Sequence, residues 1–350
     1  MFKLGWLVPG SAESRESFLL YGHHLTHVSP TWLRLDAEAT LHVSVEPSEI
    51  RNVLAWAEER GVSAVPLVVN EAFKADVAGA ILSNPNRRRK AVEALARFAE
   101  TYRLAGINLD FEGPFGHWRD HYTAFVYEMS ERLHGLGMQL SVDVVCQTGP
   151  PKPIEALRQE LDPASAAWVS SWAEPYDYLE LGQAVDQFIL MGYDYHARNL
   201  EPGPVGPLWW LRKVLGYTLK IVPANKIVLG LPFYARAWTS KQPMAPEAWS
   251  TRKTDLDIPL RTAAEAGFEP GDGYGYVQIA EHLTEFVRSG RDPETSPWGI
   301  WPLEDGRITV VHYDDAQSLR EKSALIDDYK LAGTAFWRLG QEDPGVWGVL

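Results

Sequence analysis

The stretch Gly106-Ile107-Asn108-Leu109-Asp110-Phe111-Glu112 decides how the rest of the chain is read. Apolar and polar residues alternate along it: Ile107, Leu109 and Phe111 against Asn108, Asp110 and Glu112. Strand side chains alternate faces with period two, so the pattern predicts one strand with an amide and two carboxylates on a single face. Such a row is at home on a half-exposed antiparallel strand with a wet face. Buried and unpaired it would be costly, and would then need a functional reason.

Outward from this stretch, short apolar, β-branched runs recur with helical patterns between them. The runs are Lys3–Val8, Leu25–Leu33, Val62–Val69, the opening stretch, Met138–Cys146, Ala184–Tyr195, Lys226–Tyr234 and Gly333–Leu339. Helices are expected over Pro47–Arg60, stopped by Gly61, over Pro85–Tyr102, and over Trp118–His134, stopped by Gly135. Strands alternating with helices are βαβ units of a parallel sheet. Eight of them predict an α/β fold, a (β/α)8 TIM barrel. The alternative, an open doubly wound sheet, has no G-x-G-x-x-G after an early strand behind it. The gap between the seventh and eighth runs is far longer than a βα unit needs. It is rich in Gly, Pro and aromatic residues, as in Gly271–Tyr276 and Trp298–Pro302. The expected organisation is a barrel from residues 1–236 and 313–350, with a small α+β domain, 237–312, inserted after strand seven and lying over the C-terminal face.

The 350 residues carry a net charge of −13, which disfavours nucleic acid or an anionic membrane surface as partner. The basic run Arg87–Lys90 reads as the solvated face of a helix. A single cysteine, Cys146, rules out an intramolecular disulfide and lacks a catalytic partner motif, so a buried, inert thiol is expected. No apolar run is long enough to span a membrane. The N-terminal apolar run is broken by Pro9 and Gly10, which is too short for a leader. Location is thus expected to be cytoplasmic or spore-associated, or extracellular after loss of a leader, and the chain is expected to be a monomer. The 14 Trp and 14 Tyr suit a core, and equally a cleft that stacks on flat sugar faces.

In a barrel, chemistry sits at the C-terminal strand ends. There the chain places Asp110 and Glu112, Asp143, Tyr193 with Asp194, Tyr234 with Arg236, Trp337, and Trp6 on strand one. Trp32 is a further cleft candidate. Carboxylates, tyrosines and a terminal Trp are what a sugar-cleaving site needs. Glu112, the last carboxyl of its strand, is best placed to protonate a leaving oxygen. The nearby charge of Asp110 would favour keeping it protonated. A same-strand neighbour is badly placed to attack the opposite face of the sugar. The nucleophile could instead be the substrate's own 2-acetamido oxygen, with Asp110 orienting the N–H and Tyr193 the carbonyl. His196 and His23-His24 fit no metal-ligand spacing. Neither metal nor cofactor is expected.

The motifs together resemble glycoside hydrolase family 18. Ala105–Glu112 is similar to its D-G-x-D-x-D-x-E, Met191-Gly192-Tyr193-Asp194 to its M-x-Y-D, and Gly230–Arg236 to its G-x-P-x-Y-x-R. Tyr313–Ser318 and Gly333–Asp343 are similar to its closing segments. The likeness spans nearly the whole chain. It is strongest to the bacterial branch with spore cortex and cell-wall N-acetylglucosaminidases. The resemblance implies Glu112 as proton donor and Asp110 as the acetamido-orienting residue. It implies Tyr193 and Asp194 as contacts to the N-acetyl group, and Trp337 as the floor under the reacting sugar. Asn108, Asp143, Tyr234, Arg236 and Trp6 complete the expected substrate-binding set. Two positions depart from the pattern. Ala105 replaces an Asp that is mostly structural. Asn108 replaces one that can share a proton with Asp110; an amide can only donate a hydrogen bond to it.

The function implied is retaining hydrolysis of β-1,4-linked N-acetylglucosamine-containing glycans, chitin oligosaccharides or peptidoglycan. Two other classes stay open: a lectin-like member that binds such glycans without cutting them, and a structural protein of a spore or envelope layer. Binding members usually lose the acid, and Glu112 is present.

Overall fold

The computed structural model describes residues 1–113, 115–150, 172–250, 260–291 and 296–350. Eight strands carry the fold: β1 (Phe2–Leu7), β2 (His27–Pro30), β3 (Leu67–Asn70), β4 (Gly106–Asp110), β5 (Gln139–Val145), β6 (Gln187–Met191), β7 (Ile227–Pro232) and β8 (Gly333–Trp337). Each pairs parallel with the next from β3 to β8; β8 then pairs with β1, and β1 with β2. The series returns on itself through the third strand. Ser63–Ala64, its lead-in, pairs with β2, and Leu33–Leu35, the continuation of β2, pairs with β3. The result is a (β/α)8 TIM-barrel-like α/β fold.

The opening stretch behaves as its alternation predicts. Ile107, Leu109 and Phe111 are fully buried on the helix-facing side, where Phe111 packs on Tyr122 and Phe125. Gly106 is a point of close approach between β4 and β5. A Cβ there would lie 2.1 Å from the Gln139 carbonyl oxygen, so only glycine fits.

Helices cover the sheet, and two of them, Pro47–Glu59 and Pro85–Tyr102, begin on a proline. Asn84 caps Pro85–Tyr102 by accepting from the backbone N–H groups of Asn86 (3.0 Å) and Arg87 (3.3 Å), and Pro85 supplies a pre-set first turn. Arg87 pairs with Glu38, and Arg88 with Glu128, so the basic run is a helix face engaged with its neighbours. Among the described residues no helix is long and apolar enough to cross a membrane.

Boundaries in the second and sixth runs differ from the periodicity. The second apolar run breaks after Pro30 into two strands that pair with different halves of the third. The sixth begins at Gln187, because Ala184 still belongs to the helix Tyr178–Ala184. It ends at Met191, so Gly192, Tyr193 and Asp194 lie beyond it. Apolarity runs on past the pairing in each case, and pairing is what ends a strand.

Between β7 and β8 the chain forms a second, antiparallel sheet of five strands. In spatial order these are Asp272–Tyr274, Ala235–Thr239, Ile308–His312, Pro297–Pro302 and Arg288–Arg291. Its two faces carry separate apolar groups, one around Trp238, Phe268 and Ile300, the other around Ala237, Ile279 and Trp301. The sheet starts only two residues after β7 ends, so its first strand rises directly from the barrel rim.

Candidate active site

Two peptide groups at the end of β4 are held by neighbouring elements. Asn70, the last residue of β3, accepts from Glu112 N (2.9 Å) and donates its amide to Glu112 O (2.9 Å). Tyr176 donates its hydroxyl to Phe111 O (2.8 Å). Gly113 follows with φ +120°, and a Cβ there would meet the Phe73 carbonyl oxygen at 2.5 Å. The Glu112 carboxyl is thus set just past the strand end by backbone bonds, and its own side chain is left for the cleft.

That cleft has a volume of ≈ 520 Å³. Trp6 of β1, Asp110 and Glu112, Asp143 of β5, Tyr193 and Asp194 after β6, Tyr234 and Arg236 after β7, and Trp337 of β8 all line it. Residues spread over the whole sequence meet because they occupy equivalent strand ends. Trp6 and Trp337 meet edge-on, with ring centroids 5.7 Å apart. Asn108 lies beneath this surface, fully buried. Its Oδ1 accepts from Trp6 Nε1 (2.9 Å) and Ser29 Oγ (3.0 Å), and its amide donates to Asp143 Oδ1 (2.9 Å). The expected hydrogen bond from Asn108 to Asp110 is absent; the amide points to the next strand instead. Trp32 is not in the cleft either. It falls at the break between the two pieces of the second strand and is buried in the core.

The electrostatics follow from burial. The Glu112 carboxyl is pushed up to about 7, first by burial and then by the charge of Asp194. Asp110 is raised well above the usual carboxylate range by burial, then by Glu112 and Asp143. Asp110 and Glu112 therefore repel each other within one buried carboxyl cluster, and Asp194 adds its charge to those acting on Glu112. Asp143 is likewise raised, chiefly by burial, against the opposing hydrogen bond from Asn108. Burial also keeps the Tyr193 phenol protonated. Asp110 Oδ1 is buried and has no hydrogen-bond partner among the described residues. An unpaired buried acceptor is costly, and an incoming N–H would satisfy it.

Asp194 sits in the left-handed region at φ +59°. Its Oδ1 accepts from both the Tyr234 hydroxyl and the Arg236 guanidinium. The M-x-Y-D and G-x-P-x-Y-x-R segments are thus joined by one carboxylate. Cys146 donates its thiol to Met191 O (3.2 Å), and burial pushes that thiol far up, so it is no nucleophile. His196 is buried, with Nδ1 2.8 Å from Glu201 O.

Sequence reasoning missed Ser29, Asn70, Thr31, Phe73, Arg338 and Gln341. Asn70 was findable: it is a polar residue closing an apolar strand, as Asp110 is. Phe73 was not. It is 38 % exposed at the cleft edge with φ +51°, and only the turn there places it.

The model of the family described as glycosyl hydrolases family 18 matches residues 77–342. A candidate sporulation-specific glycosylase of Bacillus subtilis, YdhD, is 25% identical over 277 residues, covering 79% of this chain and 56% of that one. The cortical fragment-lytic enzyme of Bacillus subtilis is 24% identical over 304 residues, covering 86% of this chain and 62% of its own length. The chain therefore spans little more than half the length of these curated relatives. Among solved structures, a chitinase from Chromobacterium violaceum superposes with TM-score 0.80 at 23% identity, covering 99% of this chain and 97% of that one. The spore cortex-lytic enzyme SleL of Bacillus megaterium superposes with TM-score 0.80 at 22% identity, covering 99% and 72%.

Proposed function

The chain belongs to glycoside hydrolase family 18, and on that premise we propose that it hydrolyses β-1,4-linked N-acetylglucosamine-containing glycans with retention, by substrate-assisted catalysis. The observation that carries this reading is the pairing of a cleft-facing carboxyl that titrates near neutrality with a neighbouring buried carboxyl that lacks a donor. Glu112, protonated at its working pH, gives its proton to the glycosidic oxygen as that bond breaks. The acetamido carbonyl oxygen of the same sugar attacks C1 and closes a cyclic cation. The acetamido N–H donates to Asp110, which stabilises the positive charge that develops. Tyr193 positions the carbonyl oxygen, and Trp337 lies under the ring. Glu112, now ionised, takes a proton from water as it opens the cation from the face the leaving group vacated. Two displacements give retention.

Residues 237–312 are assigned in this reading to an inserted α+β unit that walls one side of the cleft, with the remaining segments as the catalytic barrel. Asp194, Tyr234 and Arg236 then form a fixed wall for the N-acetyl group. The relatives' names, chitinase and cortex-lytic enzyme, support either chitin or peptidoglycan as the glycan.

Release of reducing ends from chito-oligosaccharides and from peptidoglycan tests the proposal. Binding to both without cleavage of either would overturn it in favour of a lectin-like role.

Two further outcomes follow. The acid must be protonated, so kcat/KM is expected to fall as pH rises through about 7, the value to which Glu112 is pushed. A pH–rate profile with its alkaline limb far above 8 would assign the acid elsewhere. A thiazoline mimic of the cyclised sugar is expected to inhibit competitively and more tightly than the parent monosaccharide. Cleavage of unacetylated substrates together with failure of that mimic would remove the acetamido group from the mechanism.

A further inference from the structure

Asn108 is oriented without ambiguity. An indole N–H can only donate, so the Asn108 atom 2.9 Å from Trp6 Nε1 is the oxygen, and the Ser29 hydroxyl adds a second donor to it at 3.0 Å. The amide nitrogen therefore faces Asp143 Oδ1 at 2.9 Å. All four residues lie on β1, β2, β4 and β5, with Asn108 and Ser29 fully buried and Asp143 2 % exposed. The result is a fixed cradle that points one carboxylate, Asp143, into the floor of the cleft.

Asp110 lies above that floor, 6 % exposed, with Oδ1 unpaired among the described residues. The charged groups acting on it are Glu112 and Asp143. Around the same cluster stand Tyr122 from the helix Arg119–His134, Tyr176, and Tyr193 after β6. Of the cations lining the cleft, Arg236 is engaged with Asp194, and Arg338 donates to Ser11 Oγ at 3.1 Å. The strand motif puts no carboxyl at position 108, yet the cleft floor still holds one, contributed by the next strand.

We propose that Asp143, held in the cleft floor by Asn108, is the residue that sets the charge of Asp110, so that β5 supplies the buried carboxyl absent from position 108 of β4. The proposal rests on the hydrolase reading above and adds to it a residue that does not touch the reacting atoms. The geometry implies an exchange. An Asp at 108 facing an Asn at 143 would remake the same hydrogen bond with donor and acceptor reversed, and Trp6 and Ser29 would still find an oxygen to donate to. An Asp at 108 facing Asp143 would instead set two buried carboxylates against each other.

Asp143→Asn keeps an acceptor for the Asn108 amide and removes only the charge. It is expected to lower kcat about 10-fold or more with KM within about 3-fold. Loss of a like charge beside Asp110 should also move the acid limb of the pH–rate profile to lower pH. The double variant Asn108→Asp/Asp143→Asn is expected to return that limb toward its original position and to recover most of kcat. Asn108→Asp alone should push the limb upward.

A wild-type profile in Asp143→Asn would overturn the proposal, whatever happens to thermal stability. So would a folded double variant whose acid limb stays with that of the single variant. The same shift is readable without turnover, from pH titration of aspartate carboxyl carbons by NMR, with Asp110→Asn as the assignment. If the wild type cleaves no glycan, the hydrolase reading fails. The NMR midpoint of Asp110 still decides the Asp143 proposal, which requires that midpoint to fall in Asp143→Asn.

Discussion

Glu112→Gln is expected to lower kcat for glycan hydrolysis by about 10²–10⁴-fold, the range for removal of a general acid, while the protein becomes more stable at neutral pH. Gln has the shape of the protonated acid and can keep its hydrogen-bonding geometry, but it has no proton to transfer. The stability half follows from linkage. Folding raises the Glu112 carboxyl from 4.5 to about 7, so the native state holds its proton more tightly than the unfolded chain does. Stability from this group is fully present below about 4.5 and is lost as pH rises through about 7. Removing the ionisable group should therefore change little at acid pH. By pH 8 it should add stability on the order of 3 kcal/mol at most. Reducing-end assays together with urea melts at pH 4.5 and pH 8 check both halves. Damage to the fold would lower activity and stability together, and that outcome would deny Glu112 a chemical role. A stable site bought at the cost of activity is the usual trade at functional positions.

Lys322→Met is expected to destabilise the protein by about 3–5 kcal/mol, the cost of leaving a buried ion without its partner. Lys322 and Asp314 have side chains 0% and 2% exposed. The ammonium donates to Asp314 Oδ1 at 2.6 Å and Oδ2 at 2.8 Å, and to Ser296 Oγ at 3.3 Å. Ser318 donates a further bond to Asp314 Oδ1 at 2.7 Å. Asp314 lies just past the strand Ile308–His312, and Lys322 is on the helix Ala316–Tyr329 that leads to β8. The pair thus fastens the exit of the second sheet to the helix that delivers Trp337. Met fills much of the lysine's volume, so the loss is mainly electrostatic. Asp314→Leu in the same chain removes the orphaned charge. The double variant is expected to recover more than half of the loss, measured as urea midpoints at constant m-value. Equal losses in the single and double variants would mean that packing, and not the uncompensated carboxylate, sets the cost.

The Tyr313–Ser318 segment also shows how a motif and its physical role can separate. As sequence it marked similarity to a family. In the structure Asp315 caps the helix by accepting from Ser318 N (2.9 Å), and Asp314 holds the buried lysine. Nothing in the segment itself says which of two adjacent carboxylates goes inward. That depends on Lys322 arriving two turns along the helix, and on Ser296 just before the strand Pro297–Pro302.

The chain by itself determined the period of its elements and the chemistry at their ends. Alternation in Gly106–Glu112 gave a strand with one polar face, Pro85 gave a helix start, and eight apolar runs gave the parallel repeat. These are legible because they depend on neighbours a few residues away. The tertiary structure alone decided where β6 stops, that Trp32 enters the core, that Asn108 serves Asp143 and not Asp110, and that Asp194 joins the carboxylates acting on Glu112. Each of these depends on side chains from different strands meeting at one barrel mouth. Their distances and burial, and with them the proton affinities, arise only when the strands pair in register.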